Sequence, residues 1–347
     1  MDALPLSPQA VGLCAIMAML AGCGGAQTGS PAESTVASYA DPSGENASKP
    51  LLYVANAASS VVKFLRFPEN GHRHVLQTVS RPEGLCSDSV GHVFVTSGKG
   101  PHNGEIVEFP HASLRRIGTL HDPDTKPMAC AVDTLTGNLA VVGGSSNSDK
   151  SGNVAIYAAA QGKPTTYSDP NIHSYFACAY DDDGNLYVEG TNTGGAVLFA
   201  ELPKGTQELS SFSINQAMTV TGGIAWDGTY LVVGGNFSAS NHFDVYQVTI
   251  SGSTGTVANA IQLDGGSITG PLALYLGPDS KIISPCYGTD VCIWAYPAGN
   301  HWLHAVNLDN DGNTGVTVSL PRLPAPPNRL IFDAWQGGST SESKARR

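Results

Sequence analysis

The chain of 347 residues contains 40 Gly and 22 Pro, and charged residues make up only 14% of it. This composition fits many short strands joined by tight turns and disfavours a helical protein, which would carry more Glu, Lys and Leu. The formal net charge of -11 argues against a nucleic-acid partner, because phosphate binding depends on clustered Lys and Arg. We therefore predict an all-β protein that does not bind nucleic acid.

The first residues have the features of an export signal. Residues 10–20 are apolar but too few to span a bilayer, and they lead into Leu20-Ala21-Gly22-Cys23. This tetrapeptide resembles the lipobox of bacterial lipoproteins, which implies that residues 1–22 are a signal peptide and that Cys23 carries a lipid anchor. Residues 1–9 depart from the usual basic start, because they contain Asp2 and no Lys or Arg. The alternative is an apolar segment that is not processed.

The residues after Cys23 predict a tether between a membrane and a folded domain. Residues 24–49 are mostly small or polar and cannot bury enough apolar surface to fold, so we assign 23–49 to the lipidated cysteine and a flexible linker. The predicted location is the bacterial cell envelope, with the chain bound to the membrane by its lipid. In a Gram-negative host, Gly24 in place of Asp after the cysteine favours the outer membrane.

Residues 50–320 repeat a unit of about 45 residues, which is the period expected of β-propeller blades. Each unit has a small or apolar inner segment, an Asp-containing turn that ends in Gly, an apolar strand, a polar loop and a strand that ends near an aromatic residue. The inner segments and turns begin at Pro82, Pro127, Phe176, Gly223 and, more weakly, Pro271.

The two ends of the repeat region complement one another. The segments 52–56 and 62–68 match the second and third pieces of the unit but have no inner segment before them, while 314–318 looks like an isolated inner segment. We predict that the C-terminal strand supplies the inner strand of the first blade and closes a ring of six blades, because closure removes exposed sheet edges.

The Leu-Tyr-Val-Ala-Asn sequence at 52–56 and the repeated Asp, Gly-Asn, Leu-Tyr-Val pattern resemble NHL-type and SMP-30-like propellers of secreted bacterial proteins. For the SMP-30-like lactonases, the resemblance implies a divalent metal held by a Glu in a Glu-Gly-Pro motif and by Asn and Asp of other blades. Only Glu83-Gly84 matches, and one carboxylate cannot satisfy a hard cation, so we assign no metal, cofactor or catalytic residue. We expect Glu83 to be a solvated rim residue.

Two acidic segments, 181–185 and 307–312, invite comparison with calcium loops. The second has the first half of an EF-hand spacing, but Val318 stands where a bidentate Glu is required. Asp and Asn stabilise turns through their own side chains, so we predict that both segments are turns between strands.

The cysteines fall into two kinds. Cys286 and Cys292 flank a plausible hairpin loop in a compartment that permits disulfides, so we predict that they pair. Cys130 and Cys178 occupy the same inner-strand position of adjacent repeats, with Cys86 one place further along. For these three we expect packing as small apolar side chains, ahead of a disulfide or a reactive thiol.

The sequence defines a shortlist of polar residues near the inner-strand starts, at the predicted channel mouth: Glu83, Lys126, His173 and Tyr175. Without a visible catalytic constellation, we favour a non-catalytic binding or scaffold propeller for an unidentified protein or carbohydrate ligand, acting as a monomer. The alternative is a hydrolase or lyase, lactonase-like, that uses the channel mouth. Residues 321–347 form a tail in which the apolar segment 330–335 is a candidate to dock on the propeller.

Overall fold

The computed structural model describes residues 43–322, apart from 69–71, 77–78, 99–103, 123, 145–150, 237–242, 265–267, 269, 287–288 and 309–311. The predicted signal peptide, Cys23, most of the predicted tether and the tail beyond Arg322 lie outside the described residues. No helix among the described residues is long and apolar enough to cross a membrane.

The described chain consists almost entirely of short β-strands. Its helical elements are one turn of α-helix, α1 (Ser43–Asn46), and a 3-10 turn at Ala158–Ala160. The strands, in chain order, are β1 (Leu51–Asn56), β2 (Val61–Arg66), β3 (His74–Val75), β4 (Pro82–Ser87), β5 (Val93–Gly98), β6 (Gly104–Phe109), β7 (Gly118–Asp122), β8 (Lys126–Val132), β9 (Leu139–Gly144), β10 (Asn153–Tyr157), β11 (Thr165–Tyr167), β12 (Ser174–Tyr180), β13 (Leu186–Thr191), β14 (Val197–Leu202), β15 (Ser210–Ile214), β16 (Val220–Trp226), β17 (Leu231–Asn236), β18 (Phe243–Ser251), β19 (Thr254–Asp264), β20 (Ala273–Tyr275), β21 (Lys281–Cys286), β22 (Asp290–Ala295), β23 (Gly299–Asn307) and β24 (Asn313–Ser319).

The strands pair as antiparallel groups of four. We call β24 with β1–β3 group 1, β4–β7 group 2, β8–β11 group 3, β12–β15 group 4, β16–β19 group 5 and β20–β23 group 6. Groups 1 to 3 are separate sheets, whereas short parallel pairings of β15 with β19 and of β19 with β23 join groups 4 to 6 into one twelve-stranded sheet. The first strand of each group (β24, β4, β8, β12, β16, β20) is its inner strand.

The predicted pairing of the chain ends is present. In β24, Ser319 lies opposite Leu51 and Gly315 lies opposite Ala55, with a register shift before the Asn56 and Asn313 pair. The side-chain amides of that last pair are joined, with Asn56 Nδ2 donating to Asn313 Oδ1 over 3.1 Å. The C-terminal strand therefore completes the group that the N-terminal strands begin.

In groups 2 to 5, the repeated Asp shapes the turn after the inner strand. Oδ1 of Asp181 accepts hydrogen bonds from the backbone N–H of Asp183 and of Asn185, and Gly184 follows with a φ of 87°. A left-handed φ costs Gly much less than it costs other residues. Asp88, Asp133 and Asp227 accept backbone N–H groups in the same way. The predicted turn role of segment 181–185 is confirmed.

The hydrophobic core is divided into clusters that lie between neighbouring groups. In β1, Leu51, Tyr53 and Ala55 pack toward group 2, while the alternate residues Leu52 and Val54 pack toward group 6. Successive strand residues point to opposite faces, so both faces of a sheet are buried when it is packed between two others. Equivalent clusters lie between groups 2 and 3, 3 and 4, 4 and 5, and 5 and 6. Each fully buried large apolar side chain contributes about 1.5–3 kcal/mol.

Two disulfides are formed by described cysteines. Cys286 and Cys292 pair across the hairpin of β21 and β22, which confirms the sequence prediction. Cys86 and Cys130 also pair, with 5.6 Å between their Cα atoms, so the expectation that both are packing residues is wrong. Adjacent inner strands approach closely enough here to bring the two sulfur atoms together. Cys178 is a free, buried cysteine, and burial raises the pKa of its thiol.

Candidate functional site

A cavity of about 400 Å³ lies between the inner strands, and every group contributes to its wall. We call it the channel cavity. Its lining residues are Leu85–Ser87 of β4, 130–132 and Thr134 after β8, 178–182 of β12 and its turn, 224–226 and Gly228 of β16 and its turn, Leu272–Leu274 and Leu276 around β20, and Val316–Val318 of β24. These positions belong to the second halves of the inner strands and to the turns that follow them.

Most residues that line the channel cavity have apolar side chains, and polar atoms also form a substantial part of the surface that faces it. Among the described residues, no Lys, Arg or His lines it, while Asp181 and Asp182 do. Asp181 is occupied by its own turn, and Asp182 is exposed. Concave sites that combine apolar side chains with polar groups are the usual form of a ligand site. Leu276 on the wall is 44% exposed, so large apolar surface also reaches solvent at this end.

An aromatic pair forms part of this wall. Trp226 lines the cavity, and its ring stacks on Tyr187 with 6.4 Å between the ring centroids and 10° between the planes. The Trp226 Nε1 atom is buried and has no hydrogen-bond partner among the described residues. Buried donors without a partner are uncommon, because leaving one unsatisfied costs about 1–3 kcal/mol. This donor is buried inside the wall and is not exposed to the cavity, so it is a local cost to stability.

The cysteines of the inner strands also lie on the cavity wall. Cys86 and Cys130 form their disulfide between β4 and β8, and Cys178 occupies the next inner strand. The disulfide ties groups 2 and 3 together at the surface that faces the cavity. The three positions that sequence analysis assigned to packing therefore line the candidate site.

The shortlisted channel-mouth residues lie at the other ends of the inner strands. Glu83 is the second residue of β4 and Lys126 is the first residue of β8, whereas the cavity begins at Leu85 and Cys130 of those strands. Lys126 Nζ lies 2.6 Å from Glu83 Oε1. Glu83 is only 8% exposed, so the expectation of a solvated rim residue is wrong. The lysine packs its methylene groups over Gly98 and brings its ammonium to a buried carboxylate.

The other two shortlisted residues are His173, whose backbone is hydrogen-bonded to neighbouring strands and loops, and Tyr175, whose side chain is buried in the core. His173 is half-buried, and its backbone N–H donates to Thr191 O while its carbonyl accepts from the Gly152 N–H. Tyr175 is fully buried between groups 3 and 4, where its hydroxyl accepts a hydrogen bond from the Asp169 N–H over 2.7 Å. Burial raises the pKa of Tyr175 to about 12. The structure thus brings Glu83 and Lys126 together and places Tyr175 in the core.

A buried carboxylate that sequence analysis missed lies between groups 4 and 5. Glu189 of β13 is fully buried, and it accepts hydrogen bonds from the backbone N–H groups of Gly223 (3.0 Å) and Gly222 (3.4 Å). Burial raises its pKa to about 8, against the lowering effect of the two backbone hydrogen bonds. The signal in the sequence was a carboxylate inside an apolar strand, at the register position that Val142 occupies in group 3.

Metal ligands do not gather in the described part of the chain. No group of three or more His, Cys, Asp or Glu side chains there has an arrangement that could hold a metal ion. The segment 307–312 is only partly described, so its predicted turn role stays a prediction.

Comparisons with known proteins bear on the fold. No protein-family profile matches this chain, and no curated protein sequence matches it. Solved structures do: a chain of the nidogen/laminin complex aligns with a TM-score of 0.58 and 12% identity, covering 79% of this chain and all of that one. TolB from Acinetobacter baumannii aligns with a TM-score of 0.54 and 9% identity, covering 79% of this chain and 67% of TolB.

At such low identity these likenesses concern the fold alone. Together with the repeated four-stranded groups, they show that the chain has a β-propeller-type fold. Propellers present loops and a central channel on a rigid framework, and the same framework serves many unrelated functions. Function therefore has to be argued from the channel cavity and its surroundings.

Proposed function

We propose that this protein is a six-bladed propeller, closed by β24, that acts as a non-catalytic binding or scaffold module of the bacterial cell envelope. Its blades are groups 1 to 6, and its ligand site is the channel cavity. The observation that carries the proposal is the cavity wall, to which all inner strands contribute mainly apolar positions. The pairing of β24 with β1 and the cluster between groups 1 and 6 support closure.

The chemistry of the wall favours binding. Acid–base catalysis needs titratable groups held within reach of a substrate, yet the carboxylates on this wall are Asp181, which stabilises a turn, and the exposed Asp182. A protein side chain or a sugar, which has both an apolar face and polar groups, fits a wall that combines apolar side chains, Trp226 among them, with polar atoms. We propose that the module works as a monomer, on a protein or carbohydrate ligand.

A photo-crosslinking amino acid at Leu276 tests the ligand site. Leu276 is exposed and lines the channel cavity, whereas Ile117 is 58% exposed and does not line it. Irradiation of cells should give a heavier adduct from position 276 and none from the control at 117. Equal adducts from both positions, or none from 276, would contradict a ligand at the channel cavity.

We propose further that Cys23 is lipidated and holds the module at the membrane, in the outer membrane if the host is Gram-negative. The Leu20-Ala21-Gly22-Cys23 sequence and the small, polar residues 24–49 support this anchor. Cys23→Ser should abolish acylation and cleavage of the precursor, as measured by mass spectrometry of the purified chain. Cys14→Ser, a matched change inside the apolar segment, should leave both unchanged. An acyl group on the Cys23→Ser chain would exclude this anchor.

The enzyme alternative rests on one pair of residues. Glu83 and Lys126 are titratable groups within hydrogen-bond distance near the inner-strand starts. Their charges neutralise one another, and neither residue lines the channel cavity. A lactonase-like hydrolase or lyase would need both to act on a substrate, so hydrolysis of a lactone panel that is lost in Lys126→Met would favour this second function.

A further inference from the structure

We propose that the chain's own C-terminal segment, residues 330–335, docks at the mouth of the channel cavity and competes with the external ligand. This inference rests on the proposed binding role of that cavity. The segment reads Leu-Ile-Phe-Asp-Ala-Trp, and it lies outside the described residues. Four large apolar side chains within six residues need cover from water, and each gains about 1.5–3 kcal/mol when fully buried.

The place where the described chain ends favours this occupant. Val316–Val318 of β24 line the cavity, and the chain continues through Leu320, which is 45% exposed, to Arg322. The tail therefore starts beside the cavity. Leu330 lies eight positions after Arg322, and eight extended residue steps span up to roughly 26–29 Å. Because the tail starts beside the cavity, a segment with this reach can return to the cavity mouth.

The chemistry of the two surfaces is complementary. The wall has mostly apolar side chains together with polar groups, among them Asp181 and Asp182, and no described Lys or Arg lines it. Leu276 offers an exposed apolar side chain at its edge. In the tail, Arg329 stands directly before the apolar segment, and residues 323–347 contain four Lys or Arg and two Asp or Glu. The apolar side chains can therefore enter the cavity while the basic residue faces the carboxylates.

The size and the linkage also fit. A cavity of about 400 Å³ accepts a few side chains of the segment and leaves the rest across the mouth. A short linker gives the segment an effective concentration on the order of millimolar, so a contact with a Kd below about 0.1 mM would be occupied in most molecules. An external ligand must then displace the segment, which would raise the ligand concentration needed for binding.

The test uses Trp335 in the full chain as its reporter. Its emission is isolated by subtracting the spectrum of the Trp335→Phe chain, and its accessibility is measured by iodide quenching. A seated side chain loses about 70–90% of its exposed surface, so undocking should raise quenching at least about threefold. We expect that rise in Phe332→Asp, which changes only the tail, and in Leu276→Asp at the cavity mouth.

Leu303→Asp is the matched control, because Leu303 is 53% exposed on β23 and does not line the cavity. It should leave Trp335 shielded. Strong quenching in the parent chain would overturn the proposal, as would shielding that Leu276→Asp does not change. Shielding that disappears on about hundredfold dilution would mean docking onto a second copy and would also overturn it, since a tethered contact is independent of concentration. No external ligand is present, so failure here leaves the crosslinking test of the binding site unaffected.

Discussion

At the scale of single residues, the Glu83 and Lys126 pair shows how burial determines what a charged side chain contributes to stability. The carboxylate is 8% exposed as a residue, and the lysine side chain is 31% exposed, so only the lysine retains substantial contact with water. Removing the partner of a buried charge costs more than removing the charge itself, because the remaining ion stays desolvated. The two single substitutions should therefore differ.

We predict that Lys126→Met lowers the free energy of unfolding by about 2–3 kcal/mol and Glu83→Gln by about 1 kcal/mol. Urea unfolding followed by circular dichroism measures both. The double variant should resemble Glu83→Gln, because no buried charge then lacks a partner. If Glu83→Gln lowered the free energy of unfolding as much as Lys126→Met or more, the buried carboxylate would not be the charge that needs its partner for stability.

Glu189 makes stability depend on pH. Its folded-state pKa of about 8 lies above the ordinary value of 4.5, so the folded protein retains a proton that the unfolded chain has released. The contribution is fully present below about pH 4.5 and is lost as the pH rises through about 8. The stability difference between parent and Glu189→Gln should fall by a few kcal/mol over this range, as measured by urea unfolding at several pH values.

Glu208→Gln provides the control for that titration, because Glu208 is exposed. Its difference from the parent should stay nearly constant with pH. A flat difference for Glu189→Gln as well would mean that the carboxyl titrates normally and is not desolvated by the contact between groups 4 and 5.

At the scale of strands, the inner strands repeat the same register from one group to the next. Cys130 lies opposite Val141 and Cys178 lies opposite Val188, at equivalent positions of β8 and β12. The Cys130 Sγ contacts Phe94 O, and the Cys178 Sγ lies 4.0 Å from Ala140 O, which is the equivalent carbonyl one group further on. Relative to Cys178, Ala131 therefore occupies the position that Cys86 occupies relative to its disulfide partner Cys130.

We predict that Ala131→Cys forms a third disulfide, with Cys178. Mass spectrometry of peptides from the unreduced protein should find residues 131 and 178 linked, with loss of the free Cys178 thiol. The closed loop of about 47 residues would stabilise the fold by up to about 4 kcal/mol in the chain-entropy description. Ala179→Cys, its counterpart on β12, has no cysteine at the equivalent place and should stay reduced; a free thiol at 131 would show that the inner-strand spacing differs between groups.

At the scale of the whole molecule, we expect stability to depend on the pairing of β24 with β1. Residues 313–319 of β24 pair with β1, and Val316 and Val318 pack in the cluster between groups 1 and 6. Without this strand, β1 presents an unpaired edge and the cluster loses two buried valines. A loss of more than about 5 kcal/mol would follow, which is a large part of the total stability of a typical domain.

We predict that a chain ending at Leu308 does not unfold cooperatively, whereas a chain ending at Arg322 melts within a few degrees of the full chain. Thermal unfolding followed by circular dichroism and limited proteolysis distinguish the two. A cooperative transition in the shorter chain would mean that the fold does not need β24.

The sequence by itself determined the strands, the Asp-containing turns, the meeting of 314–318 with 52–56, and the Cys286 and Cys292 disulfide. Alternating side chains, turn residues and cysteines that flank one hairpin act over a few residues, so a single sequence can show them. The repeat period added the pairing of the ends, because one incomplete unit at each end complements the other.

Only the tertiary structure decided the Cys86 and Cys130 disulfide, the burial of Glu83 beside Lys126, and the position of the channel cavity toward the inner-strand ends. These features depend on how closely neighbouring inner strands approach, and that spacing follows from the packing of whole sheets against each other. Positions 44 residues apart in the sequence become neighbours across the channel wall through that packing. The alternation of side chains within a strand does not reveal this spacing. Alternation describes the two faces of one sheet, whereas the spacing depends on the contact between two sheets.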